Sequence, residues 1–214
     1  MKKYLLVLFL ITCNIFSSKI FAQAIDSTKH SDWKFDIEGN FNFTDPFFIL
    51  PIITADKGHL HLEKRYNYES LKTASIWFGY NFYGGSDFNY IITPMIGGLF
   101  GRIDGLAGGL EITLNYSGVQ LFSEMEYVFD FESSANNFFY NWTDLTYIPL
   151  DWLWLGLSTQ RNKIYQTNSY FQWGPFAGVG YNNFQLTGYF YNPGSDDFYV
   201  ILTLAYEFSL KHRL

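Results

Sequence analysis

Hydrophobic and polar residues alternate with a period of two along most of this chain. Residues 59–69 carry the pattern best: His59, His61, Glu63, Arg65, Asn67 and Glu69 fall on one face, Leu60, Leu62, Lys64, Tyr66 and Tyr68 on the other. Only Lys64 breaks the apolar side. Residues 33–43 repeat it, with Lys34, Asp36, Glu38, Asn40 and Asn42 opposite Phe35, Ile37, Phe41 and Phe43; so do residues 106–116, where Leu106, Leu110, Ile112, Leu114 and Tyr116 oppose Gly109, Glu111, Thr113 and Asn115. Successive side chains of an extended strand point to opposite faces, so this spacing predicts half-buried β-strands. Past residue 24 no run of 18 apolar residues and no sustained helical spacing interrupts it.

Turn-forming clusters divide the chain at 44–46, 56–58, 69–71, 84–87, 102–105, 117–118, 132–137, 149–151, 162–168, 182–183 and 192–196. Eleven connections predict twelve strands between Trp33 and Phe208. At about 15 residues per strand plus connection, that matches membrane strands of roughly 9 to 11 residues joined by tight turns. Ten strands would remain if residues 33–55 formed a leader or plug.

Alternation alone does not say which face meets water, because a soluble antiparallel sandwich carries the same pattern inside out. Three features decide it. The polar face is rich in Gly, Ser, Thr, Asn, Gln and Tyr and poor in Lys, unlike a solvated sheet. The apolar face places aromatics near strand ends, at Tyr66/Tyr68, Tyr80/Phe82, Tyr127/Phe129 and Tyr206/Phe208, as interfacial girdles do. Assigning connections alternately to two sides puts the shorter ones on one side and the longer ones on the other. The predicted fold is an all-β, transmembrane, antiparallel up-and-down barrel; closure is required because an open sheet edge in hydrocarbon leaves backbone groups unpaired.

The N-terminus changes the picture of location. Met1–Lys3 is positive, Tyr4–Ile11 is apolar, and a polar-small stretch closes in Phe21-Ala22-Gln23-Ala24, the pattern of a cleaved secretory signal. Residues 1–22 are taken as the signal peptide, 23–32 as a polar leader, 33–208 as the barrel and 209–214 as a C-terminal tail. Cleavage is expected after Ala22 or Ala24; the rival lipoprotein-type site at Leu10-Ile11-Thr12-Cys13 has Thr before its Cys.

Of 214 residues, 21% are aromatic and 16% charged, too few charges for an ordinary soluble surface. The formal charge is -6, and loss of Lys2, Lys3 and Lys19 with the signal makes the remainder more acidic. No basic cluster is present, so nucleic acid is not an expected partner. Cys13 is the single cysteine, which excludes a disulfide framework and a cysteine-based zinc site.

Leu60-His61-Leu62-Glu63-Lys64-Arg65-Tyr66-Asn67-Tyr68-Glu69, with Thr93-Pro94-Met95, Glu126-Tyr127-Val128-Phe129-Asp130, Phe139-Tyr140-Asn141-Trp142 and Tyr165-Gln166-Thr167, resembles a family of small Gram-negative outer-membrane barrel proteins, porin-like and without a settled activity. The resemblance implies fold and outer-membrane location and carries no site residues. The closing Tyr206-Glu207-Phe208 is similar to the terminal strand signal read by barrel-insertion machinery, although the chain runs six residues further, to Leu214.

With polar faces inward, the lumen receives Glu38, Glu63, Glu111, Glu124, Glu126, Asp144 and Glu207, along with Asp36, against Lys34, Arg65, His59 and His61. Carboxylates in a low-dielectric tube raise the local concentration of cations, which predicts a cation-favouring path. The alternative is a paired internal network around Arg65 that fills a non-conducting structural or docking barrel, since buried charges must be paired. Trp77, Trp142, Trp152, Trp154, Tyr189 and Tyr191 fall on the same inner faces, so a narrow or gated bore is expected. Twelve strands lie between filled eight-strand barrels and open porins.

His59, His61 and Glu63 share one strand face, but a single strand rarely closes a coordination sphere; no metal and no cofactor is expected. A lipid-modifying enzyme would need a Ser near a His on the lipid side; His59 and His61 lie on the polar face, His30 with Ser31 lies in the leader and His212 in the tail. Outer loops of at most seven residues offer little surface to a large partner. Arg161 falls on the lipid side by strict alternation, predicting a bulge or a position beyond the hydrocarbon. Gly97, Gly98, Gly101, Gly174, Gly178 and Gly180 are expected to relieve crowding or bend strands. The expected partners are outer-membrane lipid, the insertion machinery and small polar or cationic solutes.

Overall fold

The computed structural model describes residues 32–164 and 170–210. Residues 1–31, 165–169 and 211–214 lie outside them, and with them the expected signal peptide and leader through Ser31, His30, His212, Cys13 and Tyr165-Gln166-Thr167. The strands are β1 (Trp33–Phe43), β2 (Phe48–Lys57), β3 (Leu60–Tyr66), β4 (Thr73–Tyr80), β5 (Phe82–Gly85), β6 (Phe88–Gly101), β7 (Gly105–Tyr116), β8 (Val119–Asp130), β9 (Phe138–Leu150), β10 (Leu153–Ile164), β11 (Tyr170–Tyr181), β12 (Phe184–Tyr191) and β13 (Tyr199–Leu210). A single 3-10 turn, Ser134–Asn136, precedes β9.

Every neighbouring pair is antiparallel, β1 pairs with β13, and the ring closes where β4 meets β6. β4 and β5 share β6 as partner in one continuous register, Gly79 opposite Met95 and Phe82 opposite Ile92. They are one wall strand whose pairing with β6 lapses at Tyr80 and Asn81, where Pro94 has no N–H to offer, while the Asn81 backbone N–H donates to the His59 carbonyl at 2.8 Å and continues the β3–β4 register. The wall therefore has twelve positions. β1 and β2 belong to it, which excludes the ten-strand alternative with residues 33–55 as a plug.

All five connections on one side span two residues: 58–59, 86–87, 117–118, 151–152 and 182–183. At 117–118 both residues have positive φ, 47° at Ser117 and 80° at Gly118, the twist a two-residue hairpin needs. The described connections on the other side, at 44–47, 67–72, 102–104, 131–137 and 192–198, are longer. By the asymmetry of outer-membrane barrels, the short side is periplasmic and the long side external.

The outward face is apolar. Ile37, Ile53, Ile76, Ile96, Leu145, Leu157 and Leu204 form its middle band, exposed although aliphatic. Tyr80, Tyr116, Tyr181 and Tyr206 stand near the periplasmic ends of their strands and Phe43, Phe100, Phe129 and Trp173 near the external ends. Such a surface is stable only against hydrocarbon flanked by two interfaces. Lys64 interrupts it between Ile53 and Ile76, two residues from the external end of β3, where its long stem can carry the ammonium to the interface.

Three sequence expectations need correction. β3 ends at Tyr66, not at residue 69, because Asn67 adopts a positive φ of 62°; that flip turns Tyr68 into the barrel, so it is no part of a girdle. Trp152 sits exposed in a periplasmic turn and does not face inward. β13 runs to Leu210, two residues beyond the expected end of the barrel. Of the two alternatives expected for Arg161, the structure has the second: it keeps strict alternation and stands exposed near the external end of β10, while the register shift in that strand falls at Leu153–Leu155.

Two inward glycines make room for tryptophans. A Cβ on Gly97 would stand 2.4 Å from the Trp77 ring, and one on Gly178 2.2 Å from Trp154. The indole of Trp77, fully buried, lies across β6 because no side chain is in its way. Gly97→Ala is expected to lower stability by about 1–3 kcal/mol through overpacking. Gly108→Ala, where a Cβ meets nothing within 4 Å, should leave it unchanged. Urea unfolding in lipid vesicles, followed by tryptophan fluorescence, checks the pair; equal midpoints for G97A and the parent would refute the packing role.

Candidate functional site: the acidic lumen

The interior is organised around Arg65, which enters from β3 and is 1% exposed. Its Nε and Nη2 share Glu63 Oε2 at 2.5 Å, and its Nη1 reaches Glu124 Oε1 at 2.5 Å and Glu126 Oε2 at 3.4 Å. Glu111 Oε1 is 3.8 Å from Nη2. The guanidinium also stands over two aromatic rings, with its central carbon 4.5 Å from the Tyr68 ring centre and 4.9 Å from that of Trp77. One cation thus draws together β3, β4, β7, β8 and the 67–72 loop.

Hydrogen bonds extend from this centre toward the periplasmic rim. His61 joins Glu63 through Nε2 at 3.0 Å and Asp56 through Nδ1 at 2.9 Å. Asn81 donates to the same Asp56 oxygen at 2.7 Å, and Thr93 donates to Asn81 at 2.6 Å. Externally, the Tyr68 hydroxyl donates to Glu124 at 2.6 Å. The neighbouring Glu69 folds in as well, accepting from Ser75 at 2.5 Å and from the Trp77 indole at 3.1 Å. The 67–72 loop is therefore tied inside the barrel by two consecutive side chains.

The inward side chains near the external end pack closely. Leu99, Val128, Phe138 and Tyr191 are buried, Tyr191 is hydrogen-bonded to Ser158 at 2.6 Å and stacked on Tyr199 at 5.0 Å, and Tyr68 meets Tyr140 edge-on at 5.5 Å. Below this plug lies a cavity of about 1000 Å³, lined from Lys34, Glu207 and the 182–183 turn at the periplasmic rim up to Asn40, Tyr68 and Trp142. Its acidic lining comprises Asp32, Glu38, Asp56, Glu63, Glu111, Glu124, Asp144 and Glu207; its permanent cations are Lys34 and Arg65, and Arg65 is already ringed by carboxylates.

Of the residues singled out in the sequence, Glu38, Glu63, Arg65, Glu111, Glu124, Asp144 and Glu207 border this cavity. Glu126 does not: it is 2% exposed and lies within the packed network. His59 stands in the turn before β3, stacked on Tyr80 at 4.9 Å with Nδ1 on the Asn81 carbonyl at 2.7 Å. The only group of potential metal donors among the described residues is His61, Glu63 and Glu111, within 4.8 Å of one another. Both nitrogens of His61 and both oxygens of Glu63 are already bonded, and a guanidinium stands beside Glu111, so this donor set is committed to ion pairing. Sequence reasoning missed Tyr68 and Asp56 as interior partners and put Glu69 on the polar face of a strand, not in a loop that folds inward; Asn67, a residue tolerant of positive φ, was the available sign that alternation stops there.

Twelve antiparallel strands with a grease-facing wall, two-residue periplasmic turns and a polar lumen define a transmembrane β-barrel of the outer-membrane type. The chain is similar in fold to the KdgM porin: 13% sequence identity, TM-score 0.57, covering 83% of this chain and 99% of that one. A second structure of that porin, in complex with disordered oligogalacturonate, aligns equally well at 12% identity with the same coverage. The Acinetobacter baumannii outer membrane protein Omp33 aligns at 10% identity and TM-score 0.47, over 85% of this chain and all of that one. No protein-family model and no curated protein sequence matches the chain.

Replacing Arg65 by Met leaves the carboxylates around it without their counter-charge. The expected loss is about 3–5 kcal/mol of stability, read by urea unfolding in vesicles. Adding Glu63→Gln and Glu124→Gln to Arg65→Met should recover part of it, because the excess charge goes with them. A triple variant no more stable than Arg65→Met would show that charge pairing is not what Arg65 supplies.

Proposed function

We propose that this protein is a narrow outer-membrane porin whose lumen favours small polar and cationic solutes. The observation that carries the reading is the cavity of about 1000 Å³ that reaches the periplasmic rim, bordered by eight acidic residues against two permanent cations. Fixed carboxylates between low-dielectric walls hold a negative potential that concentrates cations and repels anions. Glu38 and Glu111 are the residues assigned to this selectivity, since Glu63 and Glu124 are spent on Arg65. The oligogalacturonate of the KdgM complex is a polyanion, and that solute is not carried over to an acid-lined chamber.

Passage requires the external plug to move. The 67–72 loop is the movable element in this reading, because its grip on the lumen is a few polar and aromatic contacts of Tyr68 and Glu69 and not strand pairing. A second reading, a filled and non-conducting structural barrel, is favoured by the buried packing around Trp77, Leu99, Val128 and Tyr191. Lipid-modifying catalysis has no such supporting observation.

Conductance of the refolded protein in a planar bilayer tests the choice. The expected result is small steps with potassium favoured over chloride, a preference reduced by Glu38→Gln with Glu111→Gln. Tyr68→Ala should raise the open fraction several-fold by releasing the loop. Silence from both the parent and Tyr68→Ala would discard the pore and leave the filled barrel.

A further inference from the structure

The cavity has two unlike halves, and their difference specifies a ligand more narrowly than charge does. Six of the eight lining acids come from Asp32 and strands β1, β2, β3, β7 and β8, and Glu207 from β13, whereas the contiguous strands β9 to β12 contribute Trp142, Trp154, Phe176 and Tyr189 with a single acid, Asp144; Tyr68, Tyr83, Phe122 and Phe208 are the aromatic residues elsewhere in the lining. The polar atoms of the aromatic half have partners within that half. The Trp142 indole N–H donates to Asp144 Oδ1 at 2.7 Å, the Tyr189 hydroxyl to Asp144 Oδ2 at 3.1 Å, and the Trp154 indole N–H to Thr187 at 3.2 Å. What these side chains offer the cavity is ring surface, held in mutual edge and tilted contacts: Trp142 to Tyr189 at 5.4 Å and 88°, Phe176 to Tyr189 at 4.9 Å and 35°.

The acidic half has the opposite surplus. Glu111 accepts no hydrogen bond among the described residues, and its nearest cation is the Arg65 guanidinium at 3.8 Å, already engaged elsewhere. Glu38 receives a single amide hydrogen, from Asn40 at 2.5 Å. Acceptors without donors on one side call for a ligand that donates and is positively charged; ring faces on the other call for a ligand with a flat, C–H-bearing face, or for a cation over a ring. About 1000 Å³ is the upper end of chambers that enclose a whole small molecule.

We propose that this cavity is a binding chamber for ring-shaped solutes that carry protonated amines, amino sugars and their short oligomers being the class. The pyranose ring lies against Trp142 and Phe176, its ammonium groups toward Glu38 and Glu111 and its hydroxyls to the remaining carboxylates. The inference rests on the lumen being reached by solutes from the periplasmic rim and deepens the porin reading, but binding and conduction can fail separately.

The test is calorimetric titration of the full-length protein in detergent with three disaccharides of matched size: the β-1,4 dimer of glucosamine, cellobiose, and a dimer of glucuronate. Only the glucosamine dimer should bind measurably, and methylammonium, which has the charge without the ring, should bind at least tenfold more weakly. Trp142→Leu should weaken the dimer about tenfold, and Phe176→Leu, which disturbs no hydrogen bond, should do so in the same direction; Glu111→Gln should weaken it about tenfold or more. Equal binding of cellobiose, or of methylammonium, or no effect of both ring variants in folded protein would overturn the proposal. Binding with these properties but without conductance would sink the pore and leave the chamber standing.

Discussion

A single guanidinium inside a membrane barrel sets the terms for everything around it. Taking Arg65 out of water costs several kcal/mol even after the protein relaxes, and the bilayer offers no solvent through the wall. Its stability in place depends on carboxylates on its own strand and on β7 and β8, and on two aromatic rings against which it packs. Those partners are far apart in sequence, separated from it by as many as 61 residues, so the pairing also pins the relative rotation of β3 and β8 across the lumen. The indole of Trp77 belongs to the same constraint, and it lies flat only because Gly97 leaves the adjacent wall bare.

The network divides the lumen. Where Arg65, Trp77, Tyr68 and the buried Leu99, Val128 and Phe138 meet, the bore is filled; on the periplasmic side it widens into an acid-lined chamber. A filled, salt-bridged interior and an open path are thus adjacent regions of one molecule. The 67–72 loop joins them, since Tyr68 both packs against Arg65 and bounds the chamber.

Closure of the wall supplies the rigidity that the chamber needs. Each wall strand has two antiparallel neighbours, so the side chains of β9 to β12 are held at fixed spacing and present their rings to the chamber. The break in the pairing with β6 at Asn81 is held locally by bonds to the His59 carbonyl, Asp56 and Thr93. Even this defect is tied into the polar chain that leads to Arg65.

The period-two alternation and the turn residues by themselves determined the strand count, the faces and the side on which short turns lie. They do so because side-chain direction in a strand and the φ demands of tight turns are local properties; residues 33–43 and the turns at 117–118 and 182–183 coincide with the structure. Local pattern also put Glu63, Arg65 and Glu124 on inward faces, but not on one another. Which carboxylates meet Arg65 depends on register and on chords across the barrel, which no alternation encodes. The inward turn of Tyr68 came from a backbone flip at Asn67, the division into filled and open halves from where bulky and bare positions face each other, and only the tertiary structure decided these, because each is a relation between strands distant in sequence.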